Sequence, residues 1–300
     1  MILTLEVCSL CKNKGFPHFF DMNGQNVGMV LQMNKITTKK TQKIITLLLL
    51  ILAVLAGLFL FLAVRRDFDS DIGHFARGSV LFFCFIGFCL AALALCIGLG
   101  AWSKNHLPLP DNREVSIPQI FTAYSAALVA IVIFASNGYS FIKFGGYTLP
   151  GLAEWITLPG VAVFFMLEVS PTRRKSKAHA IAGIFACLSV NFMLFKSYFD
   201  FTFPLNSPIR NALTVMEAAL LLFLLSETRG ILDKNTPVFF SIASGAAVSM
   251  MGGIALGLLL VTLIVPAEIP QGISLLRCAL CMLVSAYAAS SLLQKRTEKE

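Results

Sequence analysis

IITLLLLILAVLAGLFLFLAV, residues Ile44 to Val64, runs for 21 positions without a charge or a proline, and the architecture follows from it. At 1.5 Å per residue such a helix covers about 30 Å, the thickness of a bilayer's hydrocarbon core. Inside lipid every backbone N–H and C=O must be satisfied within the segment, so an α-helix is the expected form. A cleavable secretory leader fits poorly. The run is too long for its apolar region, and no small-residue cleavage site precedes Arg65-Arg66.

Working outward, seven further apolar stretches have comparable character: Gly78–Ala101, Pro118–Ser136, Tyr147–Leu167, Ala180–Tyr198, Ile209–Ser226, Val238–Val265 and Gln271–Leu293. The expectation is an all-α, polytopic transmembrane bundle of about eight spans. The sixth stretch is short. The seventh has a Gly252-Gly253 pair near its middle and should be tilted, kinked or broken. Pro150 and Pro159 predict a kink in the fourth. Residues 44–293 form the membrane domain in this scheme, 1–43 a cytoplasmic N-terminal segment and 294–300 a cytoplasmic tail. The run Met33-Asn34-Lys35-Ile36-Thr37-Thr38-Lys39-Lys40 also fits a translation start at Met33, which would make residues 1–32 a start-site artefact.

Charge placement orients the bundle. With the N-terminus inside, 17 of the 24 Lys and Arg flank the inner ends, six flank the outer ends, and Arg277 lies within the last span. That positive-inside bias predicts cytoplasmic termini and a multi-pass protein of a bacterial cytoplasmic membrane. Arg173-Arg174-Lys175-Lys177 is its strongest local element, and Arg65, Arg66 and Arg77 run against it.

Of 300 residues, 13% are charged, against roughly 25% in a soluble domain. The net charge of +8 points to the lipid bilayer as partner, through its anionic cytoplasmic leaflet, and to no nucleic acid. Short loops leave no room for an attached kinase, nucleotide-binding or protease domain. H-E-x-x-H, G-x-S-x-G and P-loop motifs are absent. The four histidines are scattered, so no catalytic residue, metal site or cofactor is expected, and enzymatic activity stays an open minority reading. Cys8 and Cys11 have C-x-x-C spacing with His18 nearby, but lack the second ligand pair of a zinc site. The other six cysteines read as buried thiols.

Charges inside spans are the best functional clue, because each is costly there and normally faces the bundle interior. Glu154, Glu217 and Arg277 should lie at one depth, about 10 Å below the outer boundary. A Glu217–Arg277 pair could simply fix helix register. Alternatively, Glu154, Asn191, Glu217 and Arg277 line an outward-facing site for a small polar solute or ion, with Glu154 as an unpaired, proton-accepting carboxylate. Asn211, Thr214 and Glu217 share one helical stripe, as do His179, Gly183, Cys187 and Asn191. Lys196 should snorkel outward. The aromatic loop Phe199 to Pro204 could form an outer lid. Ser241, Gly245, Ser249, Gly253 and Gly257 recur every four residues and predict close helix packing, or a backbone-lined hinge at Gly252-Gly253.

The stretch Tyr198 to Ile209, with the acid-bearing helix and Ser226-Glu227-Thr228-Arg229, resembles uncharacterised multi-span membrane proteins of anaerobic gram-positive bacteria. The resemblance covers the fifth to seventh spans and implies a membrane fold without a particular chemistry. The substrate-binding subunits of energy-coupling vitamin transporters have fewer spans, and none of their binding residues carries over. Pro150-Gly151 and Pro270-Gln271-Gly272 hint at a four-plus-four repeat. The functional expectation is a permease-like or solute-binding protein. The alternative is a non-catalytic partner or sensor of another membrane subunit, acting through the small-residue stripe.

Overall fold

A computed structural model describes residues 20–69, 73–106, 115–145, 148–170, 175–199, 207–232, 235–265 and 274–293. Cys8, Cys11, His18, Arg173, Arg174, most of the aromatic loop and the Pro270–Gly272 segment lie outside these. The described chain contains eight helical stretches long and apolar enough to cross a membrane. In order, the helices are α1 (Phe20–Asp67), α2 (Val80–His106), α3 (Ile117–Phe144), α4 (Leu149–Thr157), α5 (Pro159–Glu168), α6 (Lys177–Tyr198), α7 (Pro208–Ile231), α8 (Pro237–Ala246), α9 (Gly252–Ile264) and α10 (Leu275–Leu293). A π-helical turn, Ala247–Met251, joins α8 to α9. Among the described residues one strand pair occurs: between α1 and α2, β1 (Phe68–Asp69) pairs antiparallel with β2 (His74–Phe75). Residues 1–43 form one compact unit and Ile44–Glu300 a second, the bundle.

Local chemistry sets the helix ends. Pro118, Pro150, Pro159, Pro208 and Pro237 all stand in first turns, where a missing N–H costs nothing. The hydroxyls of Thr148, Ser176 and Thr236 accept hydrogen bonds from the N–H groups of Gly151, His179 and Phe239. Gly145 ends α3 in the left-handed region, at φ 68°, which glycine adopts without a Cβ clash.

One span departs from its sequence expectation, and in two others the structure locates the expected irregularity. The sixth is not short: α7 continues past Ser226 through Ile231. The polar residues that end its apolar run, Glu227 and Thr228, are themselves buried against neighbours. The fourth is interrupted at Leu158, where Pro159 starts a second helix, α5. Proline at that position can donate nothing to the carbonyl four residues back. The seventh is continuous in dihedral space but carries the π turn just before Gly252, so the irregularity precedes the glycine pair.

Small residues let the helices meet. A Cβ on Gly253 would sit 2.9 Å from the carbonyl oxygen of Ala53, and one on Gly257 2.8 Å from that of Gly57. One on Gly245 would meet the Cys96 sulfur at 3.0 Å. Ser249 donates back to the Gly245 carbonyl at 2.8 Å, and its hydroxyl lies 3.6 Å from Cys96. The Ser241–Gly257 stripe thus packs against this chain's own α1 and α2. An added Cβ on Gly252 or Gly253 would meet Ser285 or Ala53, so neighbouring helices approach the backbone closely at this pair.

Tyr287, Phe164, Phe165, Phe223 and Phe240 are fully buried and fill the centre. The Tyr287 ring meets those of Phe165 and Phe223 edge-on at 5.7 and 6.2 Å. On α3 a face of Ala123, Ala126, Ala127 and Ala130 allows close approach to α10. The outer surface is largely leucine, isoleucine, valine and phenylalanine, as on Leu47, Ile51, Leu90, Ile97, Leu128 and Ile184.

Candidate functional site

Four helices bring charged residues to one end of the bundle. Glu154 comes from α4, and the Thr148 cap with Pro150 sets the start of that helix. Trp155 then anchors α4 to α3. Its indole N–H donates to the Phe134 carbonyl at 2.9 Å, and its ring stacks on Phe134 at 5.1 Å. The preceding position, Glu154, is therefore turned to the interior, where it is fully buried. Glu217 lies on the inward face of α7 with Leu213, Leu220 and Leu224. Arg277 stands in the first turn of α10, whose entry Ser274 steers: its carbonyl accepts from Cys278 N–H and its hydroxyl from Arg277 N–H.

The pairing differs from the sequence expectation. One terminal nitrogen of Arg277 donates to both oxygens of Glu154, at 2.8 and 3.0 Å. The other reaches Glu217 Oε1 only at 3.5 Å, the outer limit of a hydrogen bond. That same Glu217 oxygen accepts from the Ser197 hydroxyl at 2.9 Å. Lys196 does not simply snorkel outward: its ammonium lies 3.5 Å from Glu154 Oε2. Glu154 is accordingly the most heavily paired acid of the group, and not the lone carboxylate its sequence position suggested. Charge-assisted bonds of this length are the strong ones.

Beside the cluster lies a cavity of about 240 Å³. Its wall consists of Ile133, Ser136 and Asn137 from α3, Lys196 and Ser197 from α6, Arg210 and Leu213 from α7, then Ser274, Leu276 and Arg277. Every charged residue in the described part of that wall is a cation. Glu154 and Glu217 stand behind Arg277 and do not line the cavity. Asn191 does not line it either. It is half-buried, five residues before Lys196, and so points about 140° away around α6.

Sequence reasoning passed over Arg210, which it grouped with the residues flanking the outer loops. The side chain is 97% buried, with a relative exposure of 3%. Asn211, assigned to the inward stripe with Thr214 and Glu217, is exposed instead. The signal was present: Arg210, Thr214 and Glu217 follow i, i+4, i+7 spacing, a closer match to one helical face than Asn211, Thr214 and Glu217. Ser136 and Asn137 were missed because the apolar run stops there, whereas α3 continues to Phe144.

A second polar cluster sits at the opposite end. Tyr287 donates to Glu168 Oε1 at 3.1 Å. His179 Nδ1 accepts from Lys175 N–H at 3.4 Å, so Nε2 carries the ring hydrogen and faces Glu168 Oε2 at 3.2 Å. All three side chains are buried, with the Phe164 ring 5.1 Å from the imidazole. No group of three or more His, Cys, Asp or Glu able to hold a metal ion occurs among the described residues.

No protein-family model, curated protein or solved structure matches this chain.

Proposed function

We propose that the chain is a multi-pass protein of a bacterial cytoplasmic membrane, with both termini cytoplasmic, that binds a small polar solute in a cavity near the outer face, as a permease or solute-binding subunit. The observation that carries this reading is the wall of the cavity, where Lys196, Arg210 and Arg277 converge with Ser136, Asn137, Ser197 and Ser274. A pin that only fixes helix register needs Arg277 and Glu154. Arg210, Ser136 and Asn137 add nothing to such a pin, and polar groups at that depth are costly without a use. The orientation rests on the excess of Lys and Arg at the inner ends, which puts the cavity on the outer side. The 240 Å³ volume lies below the roughly 300–1,000 Å³ of sites for drug-sized ligands, so the solute is small. A partner or sensor role acting through the Ser241–Gly257 stripe is less well supported, since those residues pack inside the bundle.

The test is thiol labelling of Ser136→Cys with a membrane-impermeant maleimide in intact and permeabilised cells, with the unsubstituted protein as background. Labelling of intact cells is expected. Labelling only after permeabilisation would reverse the orientation. No labelling in either case would remove the water-accessible cavity and the reading with it.

A further inference from the structure

The charge on the cavity wall is not balanced. Lys196, Arg210 and Arg277 carry three positive charges, and Glu154 and Glu217 supply two negative ones. Glu154 is spent on Arg277 and Lys196, and Glu217 meets Arg277 at 3.5 Å through Oε1, while its Oε2 is buried without a hydrogen-bond partner among the described residues. Arg210 is left over. Neither of its terminal nitrogens has a hydrogen-bond partner among the described residues, although both are buried. What faces the guanidinium is the Tyr198 ring, at 5.5 Å from Cζ. A buried cation without a counter-charge is strongly unfavourable unless something supplies one.

We propose that the cavity binds a small organic monocarboxylate, with its carboxylate at the Arg210 side of the wall, where a small side-chain shift exposes the buried guanidinium, and its short aliphatic body against Ile133, Leu213 and Leu276. The proposal rests on the solute-site reading above and names its ligand class. Four features converge on it. The guanidinium fork matches a carboxylate geometrically and offers two parallel N–H donors. One negative charge brings the five groups to neutrality, whereas a cationic or neutral ligand leaves Arg210 uncompensated. The volume equals that of about eight water molecules at roughly 30 Å³ each, which a bare inorganic ion would underfill. Three of the ten described wall residues are apolar, which fits a short hydrocarbon as the remainder of the ligand. Ser136, Asn137 and Ser274 are placed to receive a hydroxyl or keto substituent on it.

The experiment uses the full chain in lipid nanodiscs. Binding is measured by calorimetry and thermal shift for a series from acetate to hexanoate, with lactate, butyramide, chloride and inorganic phosphate. Butyramide keeps the shape of butyrate and removes its charge. At least one carboxylate of the series is expected to bind at millimolar concentration or below, with its amide at least about tenfold weaker. Arg210→Gln should weaken carboxylate binding by about 10- to 100-fold, the loss of one or two charge-assisted bonds, and Arg210→Lys by less. If Arg210→Gln does not fold, the carboxylate-against-amide comparison on the unsubstituted chain still decides. Equal binding of butyrate and butyramide, or unchanged binding in folded Arg210→Gln, would overturn the proposal. Phosphate or chloride binding more tightly than every carboxylate would overturn it in favour of an inorganic anion. If no carboxylate binds while Ser136→Cys labels from outside, this inference falls and the solute-site reading stands. If neither occurs, both fall.

Discussion

Replacing Arg277 with methionine tests how the polar cluster is held together. The substitution keeps an unbranched side chain at the head of α10 and removes the charge. Two bonds to Glu154, at 2.8 and 3.0 Å, are lost, and Glu154 has no exposure to water. Hydrogen bonds to charged groups contribute about 1.5–3 kcal/mol each, and breaking a buried ion pair from one side costs about 3–5 kcal/mol. Lys196, at 3.5 Å from Glu154 and 39% exposed, retains part of the compensation, so the lower half of that range is expected. The geometry also ranks the partners. In double-mutant cycles Arg277→Met with Glu154→Gln should show a coupling of about 2–3 kcal/mol. Arg277→Met with Glu217→Gln should show below about 1 kcal/mol, because that contact spans 3.5 Å and Ser197 still serves the carboxylate. Equilibrium unfolding by steric trapping in bicelles gives these values in a lipid environment. Equal couplings for the two acids, or none for Glu154, would refute the assignment of Glu154 as principal partner.

Other perturbations separate the remaining structural statements. Gly253→Leu places a Cβ 2.9 Å from the Ala53 carbonyl and should destabilise the bundle by more than about 3 kcal/mol. Gly98→Ala, with nothing within 4 Å of its new Cβ, should stay within about 1 kcal/mol of the parent; similar unfolding of the two variants would contradict the close approach. Tyr287→Phe removes the donor to Glu168 and should cost about 1–3 kcal/mol, while labelling of Ser136→Cys at the opposite end stays unchanged. Among the described cysteines, Cys96, Cys278 and Cys281 are buried in the bundle and should resist a permeant maleimide until unfolding, whereas Cys84, partly exposed one turn inside the start of α2, should react first; mass spectrometry of labelled peptides reads the order.

Much of this molecule was legible before any coordinates. Uninterrupted apolar runs of about twenty residues have few folded forms, so stretches such as Ile44–Val64 announce their helices directly. The interruption near Pro159 followed from a missing N–H, and the interest of Glu154, Glu217 and Arg277 from the cost of placing charge in such runs. All of these depend on one residue or one short segment at a time, and linear sequence records them faithfully.

Partnership depends on how helices far apart in sequence are rotated against one another. Arg277 could meet either acid by depth alone; the turn of α4 imposed by Trp155 on Phe134 gave it Glu154. Arg210 and Asn211 are adjacent and both polar, yet a rotation of 100° along α7 buries one and exposes the other. The small-residue stripe could have met a foreign helix, and it met α1 and α2. Hydropathy and spacing set which segments are helices and how deep each charge lies. Packing many residues distant in sequence around one cavity set which charges are neutralised and left Arg210 without a hydrogen-bond partner among the described residues.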